Sequence, residues 1–360
     1  MRVLLLDTNV SSYPIYESLN EDGYEVFVAG SDPNDCLALV CENYIQFDYS
    51  NFDELKKQVK KNKIEIVLPG CNDVSYTMAS LYNDQFNTNL NIESPSVDYL
   101  LNNKDAFKEF AIQIGLKVPK KIEYIELSNS NFTPIIIKPT DSFSGKGVTV
   151  IYDYYKLGIE EAISLATSNS KSQGYVIEEF VQGQLYSHSC FIIDGDIKQD
   201  FIVEEHCNHY PFAVDKSWII ENAECAFLGL IRMEFNKISN KLHLKDGLFH
   251  TQFIFNGKDV SILEVTRRCP GDLYAKLIEY STGIKYAFIY INLILKSNVN
   301  IEIPIKKNII IRETIHNTFI PYFSFNLESY TSIKEFVPIV KTGFLPKVNS
   351  SRIGILFYNN

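Results

Sequence analysis

The sequence "TPIIIKPTDSFSGKGVTVI", residues 133–151, places two lysines around a loop of small residues. An apolar strand pattern leads into Lys138, and the loop "DSFSGKG" then carries Lys146 between two glycines. Backbone N–H groups of such a loop, together with cations, are suited to holding phosphate oxygens. The P-loop pattern GxxxxGK[ST] is absent. A plain β-hairpin with two solvated lysines explains this segment equally well, so the rest of the chain must decide.

The bulk composition is that of an ordinary globular protein. The chain has 360 residues, which suggests two or three domains, with 46% hydrophobic and 22% charged residues. A net charge of −10 argues against a general nucleic-acid binder. Seven cysteines without a CxxC pair indicate reduced thiols in a cytoplasmic protein. No run of about 18 apolar residues occurs, so we expect no membrane partner.

Residues 1–94 alternate the patterns of buried strands and amphipathic helices. Strand patterns occupy 3–7, 24–30 and 64–70, and helix patterns occupy 13–23 and 52–62. Continuous apolar strands separated by helices predict a parallel sheet, and hence a Rossmann-like layer. The turn after the first strand reads "DTNVSS" and lacks GxGxxG. A dinucleotide site, and with it a dehydrogenase, is therefore not indicated.

The remainder predicts a mixed α+β arrangement. A helix is expected from an N-cap at Ser96 to Gly115, and another over residues 217–235. The strand patterns at 247–255 and 260–266 are joined by "NGKD", which predicts a β-hairpin.

This hairpin carries oxygen donors. Gln252 and Glu264 are expected to face each other across it, and two such donors suit Mg²⁺. Arg267 and Arg268 follow at once, as a clamp for a carboxylate or a developing phosphate charge.

The segment "YVIEEFVQG", residues 175–183, interrupts an apolar strand with two carboxylates. Glu178 and Glu179 are costly in such a strand unless they are paired or used. Backbone groups beside Val181 are suited to reading the edge of an adenine. The alternative is a strand end that emerges into solvent.

Five motifs in order give a resemblance to a known family. They are "NNKDAFKEFAIQIGLKVPK" with Lys104, "IIIKPTDSFSGKGV", "VIEEFVQG", "HTQF" and "LEVTRRCPGD". The chain resembles the ATP-grasp superfamily of carboxylate–amine ligases, such as biotin carboxylase, carbamoyl-phosphate synthetase and D-alanine–D-alanine ligase. The resemblance implies an ATP-grasp fold at residues 95–295, with a small nucleotide-covering subdomain near 121–182. A Rossmann-like domain precedes it, and a strand-rich segment, 296–360, completes it or packs on it.

The resemblance also implies roles for individual residues. ATP phosphates would be contacted by Lys104, Lys138 and a mobile loop of Ser144, Gly145, Lys146 and Gly147. Adenine would be held by Glu178, Glu179 and Val181, and Mg²⁺ (or Mn²⁺) by Glu264 with Gln252 and Thr266. Catalysis would involve Arg268, Arg267 and Lys138, and substrate would be contacted by His209 and Tyr210.

The implied activity is ADP-forming ligation through an acyl phosphate, joining a small carboxylate to an amine, with a homodimer common among relatives. This sequence differs from the family pattern at three positions. The family usually has a carboxylate where Gln252 stands, Asn where Thr266 stands and Glu where Leu185 stands. These differences motivate an alternative, a non-catalytic ATP-binding sensor or scaffold. A carboxylase or kinase-like member of the same fold is a third reading.

Overall fold

The computed structural model describes residues 1–128, 134–142, 145–153, 156–221, 225–299, 301, 309–317, 332–339 and 351–359. The N-terminal part is a four-stranded parallel sheet in the order β3-β2-β1-β4. Its strands are β1 (Arg2–Leu6), β2 (Glu25–Gly30), β3 (Tyr44–Gln46) and β4 (Ile66–Pro69), and its helices are α1 (Tyr13–Glu21), α2 (Cys36–Val40), α3 (Phe52–Lys61) and α4 (Asp73–Phe86). The four residues from Val3 to Leu6 are fully buried, as a central parallel strand requires. The predicted α/β layer is confirmed.

Two helices follow where the sequence predicted one. They are α5 (Pro95–Asn102) and α6 (Lys104–Gln113). The N-cap of α5 is Ser94, not Ser96, and Pro95 occupies the first helical position. Asn103 has extended backbone angles, ends α5, and caps α6 by accepting from the Ala106 N–H group. This break places Lys104 in the first turn of α6.

A small antiparallel sheet comes next, in the order β6-β5-β7. Its elements are β5 (Ile135–Pro139), β6 (Thr149–Ile151), α7 (Lys156–Ser168) and β7 (Tyr175–Glu179). Alternate residues of β5, Ile135 and Ile137, are buried against α7 in a small core of their own. The opposite face of β5 carries Lys138.

The largest sheet has eight strands in the order β12-β11-β8-β9-β10-β13-β15-β14, and every pair in it is antiparallel. The strands are β8 (Gln184–Ile193), β9 (Asp196–His206), β10 (Lys216–Ile220), β11 (Gly247–Phe255), β12 (Val260–Thr266), β13 (Ile310–Asn317), β14 (Ile333–Pro338) and β15 (Ser351–Asn359). The accompanying helices are α8 (Leu228–Leu242), α9 (Tyr274–Thr282) and α10 (Tyr286–Ile294).

The structure corrects the prediction of a helix over residues 217–235, because the first part of this segment belongs to the large sheet. The part up to Ile220 is strand β10, which lies between β9 and β13, and among the described residues of this segment the helix begins at Leu228. The β-branched and aromatic residues of "SWII" fit a strand once such neighbours are available. One neighbour, β13, comes about ninety residues later in the chain, so no local pattern announces it.

The two faces of the large sheet bury different cores. One face packs with α9, α10 and the N-terminal sheet, through residues such as Phe191, Phe201 and Leu248. The other packs with α5, α6 and α8, through residues such as Phe249 and Phe253. The first face therefore joins the N-terminal part to the sheet that carries Gln252 and Glu264. Within the described ranges, no helix is long and apolar enough to cross a membrane.

Candidate active site

Lys138 is fixed by a buried carboxylate on the neighbouring strand. Glu178 on β7 is 4% exposed and forms ion pairs with Lys138 and with Lys108 of α6, the latter at 2.6 Å. Burial alone would raise the pKa of Glu178, but Lys138 and Lys108 outweigh this effect and lower it. Two lysines and one glutamate leave one net positive charge in a rigid position. Glu178, expected at adenine, instead has its carboxylate engaged by the two lysines.

Lys104 lies beside the start of the loop that follows β5. Its Nζ donates to the Ser142 carbonyl oxygen at 2.8 Å. In this loop Gly145 and Gly147 have φ values of +70° and +73°, a region that favours glycine. The Val148 N–H group donates to the Gly145 carbonyl, so these residues form a turn around Lys146. Ser144 lies outside the described residues.

A chain of charges connects this region to the predicted hairpin. Arg268 forms an ion pair with Asp73, the first residue of α4. Burial would raise the pKa of Asp73, but Arg268, and to a smaller extent Lys104, hold it below its usual value. Glu264 in turn contributes to a raised pKa of Arg268, against the effect of burial and after that of Asp73. Glu264, Arg268, Asp73 and Lys104 therefore lie within electrostatic reach of one another.

Arg267 does not join Arg268 in a clamp, which corrects that expectation. Its side chain is 2% exposed and forms an ion pair with Glu93 at 3.2 Å. It also donates to the Lys245 carbonyl oxygen at 2.6 Å. Arg267 and Arg268 follow β12 in a bend, and their side chains diverge to pair with Glu93 and Asp73 respectively. Arg267 is a packing residue in this structure.

Gln252 and Glu264 are cross-strand partners in the hairpin, as predicted. Glu264 is exposed, Gln252 is half-buried, and Thr266 is buried with its hydroxyl accepting from the Arg268 N–H group. Among the described residues, no cluster of three or more His, Cys, Asp and Glu is arranged to hold a metal. The donor set of one carboxylate, one amide and one hydroxyl fits a hard cation that takes its other ligands from water and phosphate.

Glu205 of β9 lies behind this hairpin. It is 5% exposed and accepts from Gln252 Nε2 at 2.7 Å. Burial raises the pKa of Glu205 to about 7, while hydrogen bonds from Ser187 and Gln252 oppose the rise. A second carboxylate thus contacts the candidate metal ligand from within the sheet.

The segment expected at adenine follows β7. Glu179 accepts from the Lys120 N–H group at 2.8 Å, and its own N–H group donates to the Lys120 carbonyl. The Phe180 N–H group donates to the Pro134 carbonyl. Within the described ranges, the backbone of the half-buried Val181 makes no hydrogen bond, so its polar groups are available to a ligand.

His209 and Tyr210 lie beside the loop after β5. A cavity of about 620 Å³ has Lys146, Tyr210, Phe212 and Arg352 among the residues of its wall. The ring of His209 stacks on that of His316, with centroids 4.2 Å apart. A Cβ on Gly145 would approach the Pro211 carbonyl oxygen to 2.9 Å, so the glycine allows the two loops to meet. The cavity therefore connects the candidate phosphate loop with the candidate substrate loop.

Three site residues were not identified from the sequence: Asp73, Lys108 and Glu205. Asp73 follows the carboxyl end of β4, a position where open parallel sheets place functional groups. Lys108 lies four residues after Lys104, on the same side of the helix. Glu205 ends a strand that is buried at Val203, and such a carboxylate needs a partner or a use. Each signal is recognisable only after the strand or helix has been placed.

No family model matches the chain, but individual proteins do. A formate-dependent phosphoribosylglycinamide formyltransferase of Prochlorococcus marinus is 23% identical over 276 residues, which cover 74% of this chain and 70% of that protein. An N5-carboxyaminoimidazole synthetase of Staphylococcus aureus, solved with ADP, superposes with a TM-score of 0.80 at 14% identity, over 100% of this chain and 93% of the other. An L-amino acid ligase of Bacillus licheniformis gives 0.78 at 16% identity, over 99% and 92%. The chain therefore has the ATP-grasp fold.

Proposed function

We propose that this protein is an ADP-forming ligase that activates a substrate carboxylate as an acyl phosphate and joins it to an amine. The observation that carries this proposal is the connected set of charges from Glu264 through Arg268 and Asp73 to Lys104. It links the oxygen donors of the hairpin with the loop that begins beside Lys104. A triphosphate bound along it would meet cations and a candidate metal site together, as phosphoryl transfer requires.

In the proposed reaction, a carboxylate oxygen of the substrate attacks the γ-phosphorus of ATP, and ADP leaves. The amine then attacks the activated carbonyl carbon, loses a proton and expels inorganic phosphate. Lys104 and Lys138 bind phosphate oxygens, and Arg268 stabilises the charge of the transferred phosphoryl group. Backbone N–H groups of the turn 145–147 add donors. The chain contributes positioning and positive potential and needs no nucleophile of its own.

Mg²⁺, or Mn²⁺, is the proposed second cofactor beside ATP. Glu264 would bind it, with Gln252 and Thr266 as neutral oxygen donors. When bound, the ion neutralises charge on the phosphate oxygens. Its preference for several water and phosphate ligands suits a protein site with a single carboxylate.

The proposed acceptor site is the cavity beside Lys146. Its wall combines aromatic rings, including that of Tyr210, with the cations Lys146 and Arg352. Such a wall suits an amino acid or a related small metabolite that carries a carboxylate and an apolar group. His209 would act through the ring stack that borders this site. Adenine would lie against the backbone of Val181. The homodimer remains a prediction.

Phosphate and ADP release test this proposal. ATP and Mg²⁺ are combined with pairs drawn from a panel of amino acids, small carboxylic acids and amines. We expect release only with a matching pair, and a condensed product detectable by mass spectrometry. Lys138→Met should lower ATP affinity roughly 10- to 100-fold, because one charge-assisted contact is lost. Lys108 would still pair with Glu178, so the fold should be retained. The matched control is Lys198→Met, near the start of β9, where Lys198 pairs with Asp196.

A non-catalytic ATP-binding sensor is the second candidate. It is favoured by Gln252 and Thr266, which supply no charge to the metal site, and by Leu185, whose side chain has no polar group for a nucleotide. ATP binding without release of ADP or phosphate from any pair would support this candidate. Dependence of release on bicarbonate would indicate a carboxylase instead.

A further inference from the structure

A buried carboxylate contacts the candidate metal ligand Gln252 from the side away from Glu264. Gln252 pairs with Glu264 of β12 on one side and with Ser187 of β8 on the other. Glu205 belongs to β9, the strand beyond β8. Its Oε2 accepts from Gln252 Nε2 at 2.7 Å, and Ser187 supplies a second hydrogen bond. Glu264 is exposed to solvent, whereas Glu205 is 5% exposed.

The hydrogen bond determines which end of the Gln252 amide faces the cleft. The 2.7 Å contact runs from Gln252 Nε2 to Glu205 Oε2, so the amide directs its NH₂ group to Glu205. The oxygen of the same planar amide is then turned away from Glu205. Without this contact, the terminal torsion of glutamine allows both orientations. In the wrong one, the N–H groups would face a bound cation and repel it.

We propose that Glu205 is a positioning residue that orients Gln252, so that the neutral amide oxygen and the Glu264 carboxylate bind the divalent cation together. The hydrogen bond that the amide donates to Glu205 also polarises the amide and makes its oxygen a stronger ligand. The metal site then has one carboxylate, Glu264, that binds the ion directly, and a second, Glu205, that acts through Gln252. The inference rests on the proposed nucleotide and metal site.

The experiment compares nucleotide affinity with and without metal, which needs no turnover. Binding of a non-hydrolysable ATP analogue is measured by calorimetry in the presence of Mn²⁺ and in the presence of EDTA. The ratio of the two affinities reports the metal contribution. Glu205→Gln should lower this ratio about ten-fold or more, the usual effect of losing a group that orients a ligand. An amide at position 205 can pair with the Gln252 amide in either orientation, so the preference for the orientation with the Gln252 oxygen turned away from position 205 is lost. Affinity in EDTA should stay within about two-fold.

The control is Glu204→Gln, because Glu204 is the neighbouring residue on the opposite face of β9 and pairs with His206 at 2.9 Å. It should leave the ratio unchanged. The exchange Gln252→Glu with Glu205→Gln should restore the ratio, since the amide at position 205 would donate to the carboxylate at position 252. If Glu205→Gln does not fold, Glu205→Asp is measured with the same expectation, because the shortened carboxylate withdraws from Gln252.

An unchanged ratio in a folded Glu205 variant overturns the inference, and so does an exchange variant no better than Glu205→Gln. Absence of nucleotide binding to the unmodified protein would instead refute the proposed function. The two failures are therefore distinguishable.

Discussion

At the scale of single residues, the candidate site depends on paired charges, of which Glu178 is buried and Asp73 is partly exposed. Glu178 is held between two lysines, and Asp73 is held by Arg268. Such pairs are weak evidence for stability, because desolvation of the charges offsets much of their attraction. Their effect here is to fix positions. Lys138 cannot turn away from the cleft without leaving Glu178 with one fewer partner.

Asp98 is a buried acid that pairs with no cation among the residues that the structure describes. It lies in α5, 3% exposed, and accepts from the Thr77 hydroxyl at 2.6 Å and from Asn102 Nδ2 at 2.5 Å. Burial raises its pKa to about 6, with smaller contributions from Asp73 and Glu93. A raised pKa means that the folded protein binds this proton more tightly than the unfolded chain. The corresponding stability is present below about pH 4 and is lost as the pH rises through about 6.

We therefore predict that Asp98→Asn is more stable than the parent protein at pH 7. A rise from 3.8 to about 6 is worth up to about 3 kcal/mol, at about 1.4 kcal/mol per pH unit. The Asn102 amide can flip to accept from the new amide, so the hydrogen bonds are retained. Urea unfolding between pH 4 and pH 8 measures the gain, which should disappear at the acidic end. The exposed Asp196→Asn is the control. Parallel pH curves for Asp98→Asn and the parent protein would contradict the prediction.

At the scale of elements, the loop between β5 and β6 depends on glycine. Gly147 has a φ of +73°, and a Cβ there would come 2.7 Å from Asn169 Cβ and 2.9 Å from Pro139 Cγ. Pro139 directly follows Lys138 in β5. A side chain at position 147 therefore strains the turn and pushes on the strand that carries Lys138, the lysine proposed to bind phosphate.

Gly147→Ala should lower affinity for an ATP analogue about ten-fold. The left-handed conformation costs about 1–2 kcal/mol for alanine, and the loop can escape this strain by leaving its binding position. Gly195→Ala is a matched control, because Gly195 has a φ of +81° but a Cβ added there would meet no atom within 4 Å. It should carry the same strain and keep normal affinity in a calorimetric titration. Equal affinities of the two variants would show that the loop does not contact the nucleotide.

The elements also show what could be predicted locally. The hairpin of β11 and β12 was predicted with its bounds, and the pairing of Gln252 with Glu264 is confirmed, because loop length and alternation fix the register. Strand β10 was missed because its partner β13 is distant in sequence. The break at Asn103 was missed because one residue ends α5 and caps α6. Lys108 and Glu205 could be recognised as site residues only after the helix and the strand that carry them had been placed.

At the scale of the whole molecule, the N-terminal part and the large sheet meet through charged residues that are far apart in the chain. Asp73 reaches Arg268, and Glu93 reaches Arg267. Arg267 and Arg268 are adjacent in sequence but pair with different residues of the N-terminal part. The Arg268 pair lies in the candidate active site, and the Arg267 pair is buried in the interior. The sequence showed only a pair of arginines, and alternation alone did not tell which of them would face the cleft.

The Glu93–Arg267 junction yields the last prediction. Both residues are 3% exposed, and Glu93 also accepts from the Lys245 N–H group at 2.9 Å. Glu93→Gln would leave the Arg267 charge buried without a counter-ion, which typically costs about 3–5 kcal/mol. We expect a loss of that order in the free energy of unfolding, measured by urea denaturation with ADP absent.

The matched control is Glu21→Gln. Glu21 pairs with Lys285 across the same two parts of the molecule at 2.9 Å, but both side chains are more than half exposed. Solvent screens such a pair, so its loss should hardly change stability. Similar small losses in both variants would mean that water reaches Arg267 and compensates its charge. A large loss for Glu93→Gln alone would establish that a buried ion pair joins the N-terminal part to the large sheet. This pair involves Arg267, the neighbour in sequence of Arg268 in the candidate active site.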